Sequence, residues 1–492
     1  MAGVDVETSP LRSSRSLVLA VLGGVAVTAL LPGTRRPLWL DEAASASLAA
    51  LPGESFRQVV LHREGNGIAH TLLLRGWRHV ASGDLGLRVP SLVLSALAVL
   101  ALTSLALTLF DRRTALLVPP LLVGNPLYVR YAVEARTYAL VLLLSCLSGT
   151  LLVRALRRDT VAGWALYALL TGAAVYAHYF ALLLPLGHGV AVLLRRAPLP
   201  RSRGLLAGAA VYLVVVSGLA ALLNGAGASG VGYLENSPLL KAAIPGSLAV
   251  GFLATAAGVA VVLRRRSQGH PVVLRAGPST WPWLLVGSWL VCPAVAAVLV
   301  SVLLTPVLAP RYLVICLPPA VLLLAAALAR LPWTAVTAVI TALVTLAGLL
   351  VGDRYVQSQT EDWPQAAEAV ASRAVAGDGV LFAAPYVRLP FERHWPGEAE
   401  QRRGVDPLLP DLPWGASPTE LFFDVPLPRE RVATALAGRQ RVWLVLSHVN
   451  LYGQADPVLD GVNAALRSVM TMTSERAFRG VSVQVWERSA AP

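Results

Sequence analysis

Over residues 1–351 the apolar positions come in long runs with short polar breaks, and beyond residue 351 they come in short clusters. Eleven runs approach the ~20 residues that cross a hydrocarbon core. They lie at 16–31, 89–109, 114–128, 137–153, 161–176, 179–194, 204–223, 244–263, 281–304, 312–329 and 333–351. The stretch 161–194 is too long for one crossing, and His178-Tyr179 in its middle predicts two short helices meeting at a surface. A long loop, 32–88, separates the first two runs. In it Phe56, Val59 and Val60 share one helical face, as do Leu73, Trp77 and Val80. That spacing predicts short helices lying in the membrane interface or packed on their own bundle. After residue 351 the chain turns rich in charge, Pro and Trp. β-prone runs at Gly379–Ala383, Val442–Leu446 and Val481–Trp486 alternate with helical patterns at 364–375 and 457–468. The prediction is a small α/β domain over 352–492, with Pro-rich ordered loops around 385–427, following a helical membrane domain over 1–351.

Composition agrees: 55% of residues are hydrophobic and 14% charged, against about 25% charged in soluble domains. The class is a polytopic α-helical membrane protein. Its formal net charge of +13 sits mainly in arginines between apolar runs, so it reads as a topology signal and not as a nucleic-acid footprint. Lys241 is the only lysine, and Ala, Leu, Val, Gly and Arg dominate, a composition like that of high-GC bacteria. Cys146, Cys292 and Cys316 lie inside apolar runs and give neither a disulfide framework nor a metal spacing.

Arg12 and Arg15, Arg112 and Arg113, the Arg154–Arg158 cluster, Arg195–Arg203, Arg264–Arg275 and Arg330 fall on one side of this topology. By the positive-inside rule that side is cytoplasmic. The N-terminus is then expected inside on a retained first helix, and the C-terminal domain outside a bacterial plasma membrane. The seven arginines from Arg35 to Arg88 in the outer loop run against the rule, which long loops obey weakly.

On the outer side this topology collects Asp41-Glu42, the segment Tyr128–Tyr138, His178-Tyr179, Arg311-Tyr312 and Glu361-Asp362-Trp363. Acids at a membrane edge must be hydrated, paired or functional. Blander roles stand beside each. Asp41-Glu42 caps a helix or pairs with Arg35 or Arg36. Arg130 and Glu134, at i, i+4, form a local ion pair with Arg136 nearby. His178 is a structural turn residue, Arg311 snorkels, and Trp363 is core.

The ordered set resembles the polyprenyl-phosphate-dependent membrane glycosyltransferases of the GT-C class, the bacterial relatives of protein O-mannosyltransferase and aminoarabinose transferase. The matching residues are Trp39-Leu40-Asp41-Glu42, Gly67–Trp77 leading to Leu87-Arg88-Val89-Pro90, and Glu134-Ala135-Arg136-Thr137-Tyr138. They continue with His178-Tyr179-Phe180, Pro310-Arg311-Tyr312-Leu313 and Glu361-Asp362-Trp363. Two places depart from the pattern. Arg63–His70 stands where relatives carry an acid and a Pro-Pro-Leu-Tyr-like run, which leaves a local role to His70. Thr137 stands where relatives carry Pro.

The resemblance implies a GT-C-like fold and sugar transfer from a polyprenyl-phosphate donor to an extracytoplasmic glycan, lipid or protein. An acceptor hydroxyl needs a base, expected in Asp41, with Glu42 orienting the acceptor or a neighbouring arginine. The leaving phosphate needs fixed cations. Arg136 and Arg311 are expected there first, then Arg130, Tyr312 and His178, with Glu134 and Tyr138 in support. No cofactor is required and no metal ligand set is expected, a divalent metal being left open. Neither a P-loop nor a dinucleotide fingerprint occurs. The rival expectation is a transporter or flippase of lipid-linked sugars.

Overall fold

The computed structural model describes residues 10–62, 64–194, 202–223, 280–303, 308–332, 334–358, 360–382, 384–396, 404–409, 411–416, 419–422, 429–447 and 457–488. The run expected to span at 244–263 lies outside them. Eleven helices precede residue 224 among the described residues: α1 (Pro10–Ala29), α2 (Leu40–Ala50), α3 (Gly53–His62), α4 (Ile68–Trp77), α5 (Asp84–Leu109), α6 (Arg112–Val123), α7 (Pro126–Ala132), α8 (Tyr138–Arg158), α9 (Val161–Ala177), α10 (Leu184–Leu193) and α11 (Ser202–Leu223). Then come α12 (Trp281–Leu303), α13 (Leu317–Leu328) and α14 (Thr334–Ser358). Six helical segments among the described residues are long and apolar enough to cross a membrane, and α9, α10 and α11 supply shorter apolar helices. The molecule is a multi-pass membrane protein.

Two expected runs are interrupted. The run 114–128 breaks at Gly124-Asn125, because the Asn125 side chain accepts from Leu127 N–H and Pro126 opens a new helix. The remaining 12-residue α6 rises only about 18 Å, short of the ~30 Å hydrocarbon core. Between α9 and α10 the chain turns at His178, whose backbone is extended, and runs through a 3-10 turn at Tyr179–Leu183.

The loop 32–88 carries α2, α3 and α4. On α3, Val59 and Val60 are buried against Leu389, Leu421 and Phe422 of the C-terminal part. On α4, Leu74 is buried while Leu72 and Leu73 are exposed.

Beyond α14 lie α15 (Trp363–Ala371), α16 (Arg388–Arg393), α17 (Arg429–Ala435) and α18 (Pro457–Val469). They flank a five-stranded sheet of order β2-β1-β3-β5-β4, with β1 at Gly379–Phe382, β2 at Asp406–Leu409, β3 at Arg441–Ser447, β4 at Met470–Phe478 and β5 at Val481–Arg488. Strands β2, β1 and β3 are parallel, and β5 pairs antiparallel with both β3 and β4. The run Val442–Leu446 is continuously apolar because the sheet is covered on both faces. Trp443 and Val445 face one cluster, and Val442, Leu444 and Leu446 the other. The first cluster also takes in Trp39 and Leu40 from the far end of the chain, so the start of α2 is built into the core of the sheet.

In the bundle, α6 and α14 approach backbone to backbone. A Cβ added at Gly348 would stand 1.6 Å from the Gly124 carbonyl oxygen, whereas one at Gly76 meets nothing within 4 Å. Small residues at such crossings let helices pack closely. Gly348→Ala should therefore lower the detergent-solubilised melting temperature and the monodisperse yield, at a cost of about 1–3 kcal/mol. Gly76→Ala in α4, measured beside it, should not.

Candidate active site

The site begins with how seven residues, 36–42, are held. Glu42 is completely buried. Arg88, one turn into α5 and itself completely buried, grips it with two parallel bonds, Nε to Oε1 at 2.8 Å and Nη2 to Oε2 at 2.6 Å. The rest of the Arg88 guanidinium donates to the carbonyls of Thr34 (3.1 Å), Arg36 (2.5 Å) and Pro37 (3.1 Å). Ala135 N–H donates to Glu42 Oε1 at 2.8 Å, and Arg36 stands 3.8 Å from Oε2. Burial by itself would raise the Glu42 carboxyl. The charges of Arg88 and Arg36, with the hydrogen bonds from Arg88 and Ala135, outweigh it and hold the group well below the usual carboxylate range. A carboxylate so enclosed is fully occupied by the protein's own donors. In the sequence Arg88 appears within the matching run Leu87–Pro90, but nothing local pairs it with Glu42.

The start of α2 is fixed from the sheet side as well. Glu361, buried, accepts from Leu40 N–H at 2.8 Å and from Trp363 Nε1 at 2.5 Å. Its carboxylate thus meets one of the free N–H groups at the positive end of α2. Leu38 N–H donates to Asp84, which is also held by Arg393 at 2.9 Å, and His394 Nε2 lies 3.3 Å from the Leu38 carbonyl.

Asp41 comes next to Glu42 on α2 and faces a different way. Its side chain is 30% exposed and pairs with Arg136 Nη2 at 3.2 Å, while Arg136 Nη1 donates to the Asp41 carbonyl at 3.3 Å. Arg311 lies close enough for its charge to act on both Arg136 and Tyr138. Arg311 stacks over Tyr312 at 5.4 Å. It lines a small cavity, with room for about one water, together with Trp39, Arg130, Tyr131, Glu134, Tyr138 and Tyr355. Arg130 lies over the Trp39 ring at 5.0 Å and pairs with Glu134 at 3.5 Å.

Asp41, Arg136, Tyr138 and Arg311 are thus brought together, with Arg130 and Glu134 across the cavity. The local knot of Arg130, Glu134 and Arg136 forms only in part, since Arg136 turns to Asp41. His178 is buried, its Nδ1 accepts from Phe180 N–H at 3.2 Å, and Asn66 Nδ2 lies 3.5 Å from its Nε2. Its ring packs among Tyr138, Phe180 and Tyr312. Burial, then the Arg311 and Arg136 charges, push it down to about 3, so it is neutral and offers no cation to a phosphate. His70 is likewise buried and, for the same first reason and the Arg136 charge, neutral. Among the described residues no three His, Cys, Asp or Glu side chains converge as a metal site. Glu42 is already committed to Arg88.

Solved structures share this fold. ArnT from Cupriavidus metallidurans bound to undecaprenyl phosphate matches with a TM-score of 0.57 at 15% identity, over 95% of this chain and 97% of that one. The Archaeoglobus fulgidus oligosaccharyltransferase tethered to an acceptor peptide matches with a TM-score of 0.55 at 12% identity, over 99% of this chain and 75% of that one. Residues 71–221 match the family model for dolichyl-phosphate-mannose-protein mannosyltransferase. No curated protein sequence matches the chain.

Removing Arg88 leaves the Glu42 charge buried and uncompensated. Arg88→Ala should cost about 3–5 kcal/mol, read as loss of folded protein in detergent. Arg88→Lys should recover only part of that, because an ammonium cannot reproduce the paired bonds. Since the native Glu42 value is depressed, its contribution is complete at neutral pH and should fade only on acidification below the ordinary value of 4.5.

Proposed function

We propose that this protein transfers a sugar from a polyprenyl-phosphate donor to an acceptor hydroxyl on the extracytoplasmic side of a bacterial membrane. The observation that carries the reading is the Asp41–Arg136 pair at 3.2 Å, partly open to solvent and beside Arg311. A base and two candidate phosphate ligands are adjacent, on supports rigid enough to keep them so.

In this reaction the acceptor O–H gives its proton to the Asp41 carboxylate as its oxygen attacks the anomeric carbon. The bond from that carbon to the phosphate oxygen breaks, and the lipid phosphate leaves with an added negative charge. Arg136 links the two events. While Asp41 is ionised Arg136 is paired with it, and once Asp41 is protonated the guanidinium is released to the phosphate. Arg311 supplies the second cation, and Tyr312 orients it. The transferred charge therefore never stands without a partner. Glu42 and Arg88 contribute by holding Asp41 in place. The similarity of residues 71–221 to the mannosyltransferase family model makes mannose the first sugar to test. The acceptor class, whether glycan, lipid or protein, is to be found by product analysis.

Asp41→Asn in purified protein given polyprenyl-phosphate mannose should keep donor binding and lower turnover by about 10²–10⁴-fold, the usual size of a general-base contribution. Undiminished turnover would remove Asp41 as the base. Arg136→Ala and Arg311→Ala should each weaken binding of bare polyprenyl phosphate by about tenfold or more, as loss of a charge-assisted hydrogen bond does. Unchanged affinity in both variants would sink the phosphate assignment.

A further inference from the structure

The end of the bundle opposite Asp41 carries charge that the proposed reaction does not use. α5 runs from the neighbourhood of Arg88 to Leu109, and α8 from Tyr138 to Arg158. Their far ends therefore stand about 30 Å from the acid pair. Arg330, two residues past α13, reaches the same end, since Asp111 lies close enough for its charge to act on it. Arg113, Arg154, Arg157, Arg158 and Arg330 are exposed there, and Arg112 is half-buried.

The acids at this end are fewer among the described residues and already engaged. Asp111 Oδ1 caps α6, accepting from Thr114 N–H at 2.8 Å and from its Oγ1–H at 2.9 Å. Asp159 Oδ1 accepts from Trp164 Nε1 at 3.1 Å. Nε and Nη2 of Arg112 have no hydrogen-bond partner in the protein.

Topology asks only that arginines stay on one side of the membrane, and loose side chains reaching for water would meet that demand. Arg330 is instead held in place. Its Nη1 donates to the Ala326 carbonyl at 2.5 Å, and its guanidinium lies over the Trp283 ring at 4.2 Å. Phe110 meets the same indole edge-on, with ring centres 5.2 Å apart. Arg157 Nη2 donates to the Thr108 carbonyl at 3.0 Å. Cations from separate helices thus surround an aromatic shelf. Just inside that rim Leu107 on α5 and Val336 and Val339 on α14 are exposed, at the depth where acyl chains begin.

This combination narrows the ligand. An acidic peptide or a nucleic acid would answer the charge but not the apolar rim. A zwitterionic headgroup brings its own cation against the arginines. An anionic glycerophospholipid offers a phosphate to the guanidinium groups and its chains to the exposed leucine and valines. Basic pockets between membrane helices select such headgroups. We infer that Arg112, Arg330 and Trp283 form a headgroup site for an anionic phospholipid of the leaflet at this end. Its phosphate pairs with Arg112 and Arg330 beside the indole. The lipid would fasten the α5–α6 turn, the start of α12 and the end of α13 to one another.

The full-length protein in detergent is given phosphatidylglycerol, phosphatidylcholine or inorganic phosphate. Bound lipid is read by native mass spectrometry and stability by the melting temperature. Wild type should retain phosphatidylglycerol in preference to phosphatidylcholine, and only phosphatidylglycerol should raise its melting temperature. The double variant Arg112→Gln/Arg330→Gln should lose that preference by about tenfold or more, as loss of charge-assisted hydrogen bonds does. Arg429→Gln/Arg431→Gln, which removes two exposed arginines from α17, should keep it. Equal retention of the two lipids by wild type overturns the inference, and so does an unchanged preference in the Arg112/Arg330 variant. Inorganic phosphate that stabilises as well as phosphatidylglycerol overturns the lipid assignment. Should the double variant fail to fold, photoactivatable phosphatidylglycerol on wild type decides it. Labelling at Leu107–Arg113 or Arg330–Val339 supports the site, and labelling confined elsewhere overturns it. Turnover is not a readout, so the outcome is independent of the sugar-transfer reading.

Discussion

Everything at this site depends on one buried contact, the paired bonds between Arg88 and Glu42. Both side chains are fully withdrawn from solvent, so each is tolerable only while it holds the other. Arg88 also ties down the carbonyls of Thr34, Arg36 and Pro37, which makes the entry to α2 as fixed as α5 itself. Successive helical residues point about 100° apart. Committing Glu42 inward therefore turns Asp41 outward, and two adjacent acids acquire different work from backbone geometry alone.

The segment 134–136 repeats this pairing in register. Ala135 donates to Glu42 and Arg136 pairs with Asp41, so the acid pair and the segment beyond α7 are aligned residue by residue. The surrounding charges are unequal. Arg36, Arg88, Arg130, Arg136 and Arg311 outnumber Asp41, Glu42 and Glu134. That excess favours an anion arriving or forming among them, which is the demand a departing phosphate makes.

Much of the architecture was legible in the sequence because long apolar runs admit few meanings. The helices α5, α8, α12 and α14 follow such runs, and Asp41, Arg136 and Arg311 stood out as charges at their edges. Arg88 was part of a matching run, Leu87–Pro90, but only its distant partner Glu42 reveals what it holds. Glu361 is bonded to Leu40 across 321 positions, a separation that no local pattern encodes. The edge strand β4, Met470–Phe478, was missed because it carries no apolar alternation: nearly all its side chains are exposed. Polar edges of this kind keep sheets from pairing with strangers, and they leave little for a pattern to find. His178 carried both a chemical and a structural reading in the sequence, and its Nδ1 accepts from Phe180 N–H in the turn it makes.

The insertion of Trp39 and Leu40 into the core shared by Trp363, Phe382 and Val483 has a consequence for biosynthesis. A membrane chain is threaded and released in order from its beginning, yet Trp39 and Leu40, in the loop that bears Asp41, find their packing partners only in α15, α16, β1, β3 and β5. Until the ribosome has supplied them, Trp39 has no core to enter and Leu40 N–H lacks the Glu361 carboxylate. The seating of the residues before Asp41 would then be completed late and abruptly, with the last strand to close the sheet.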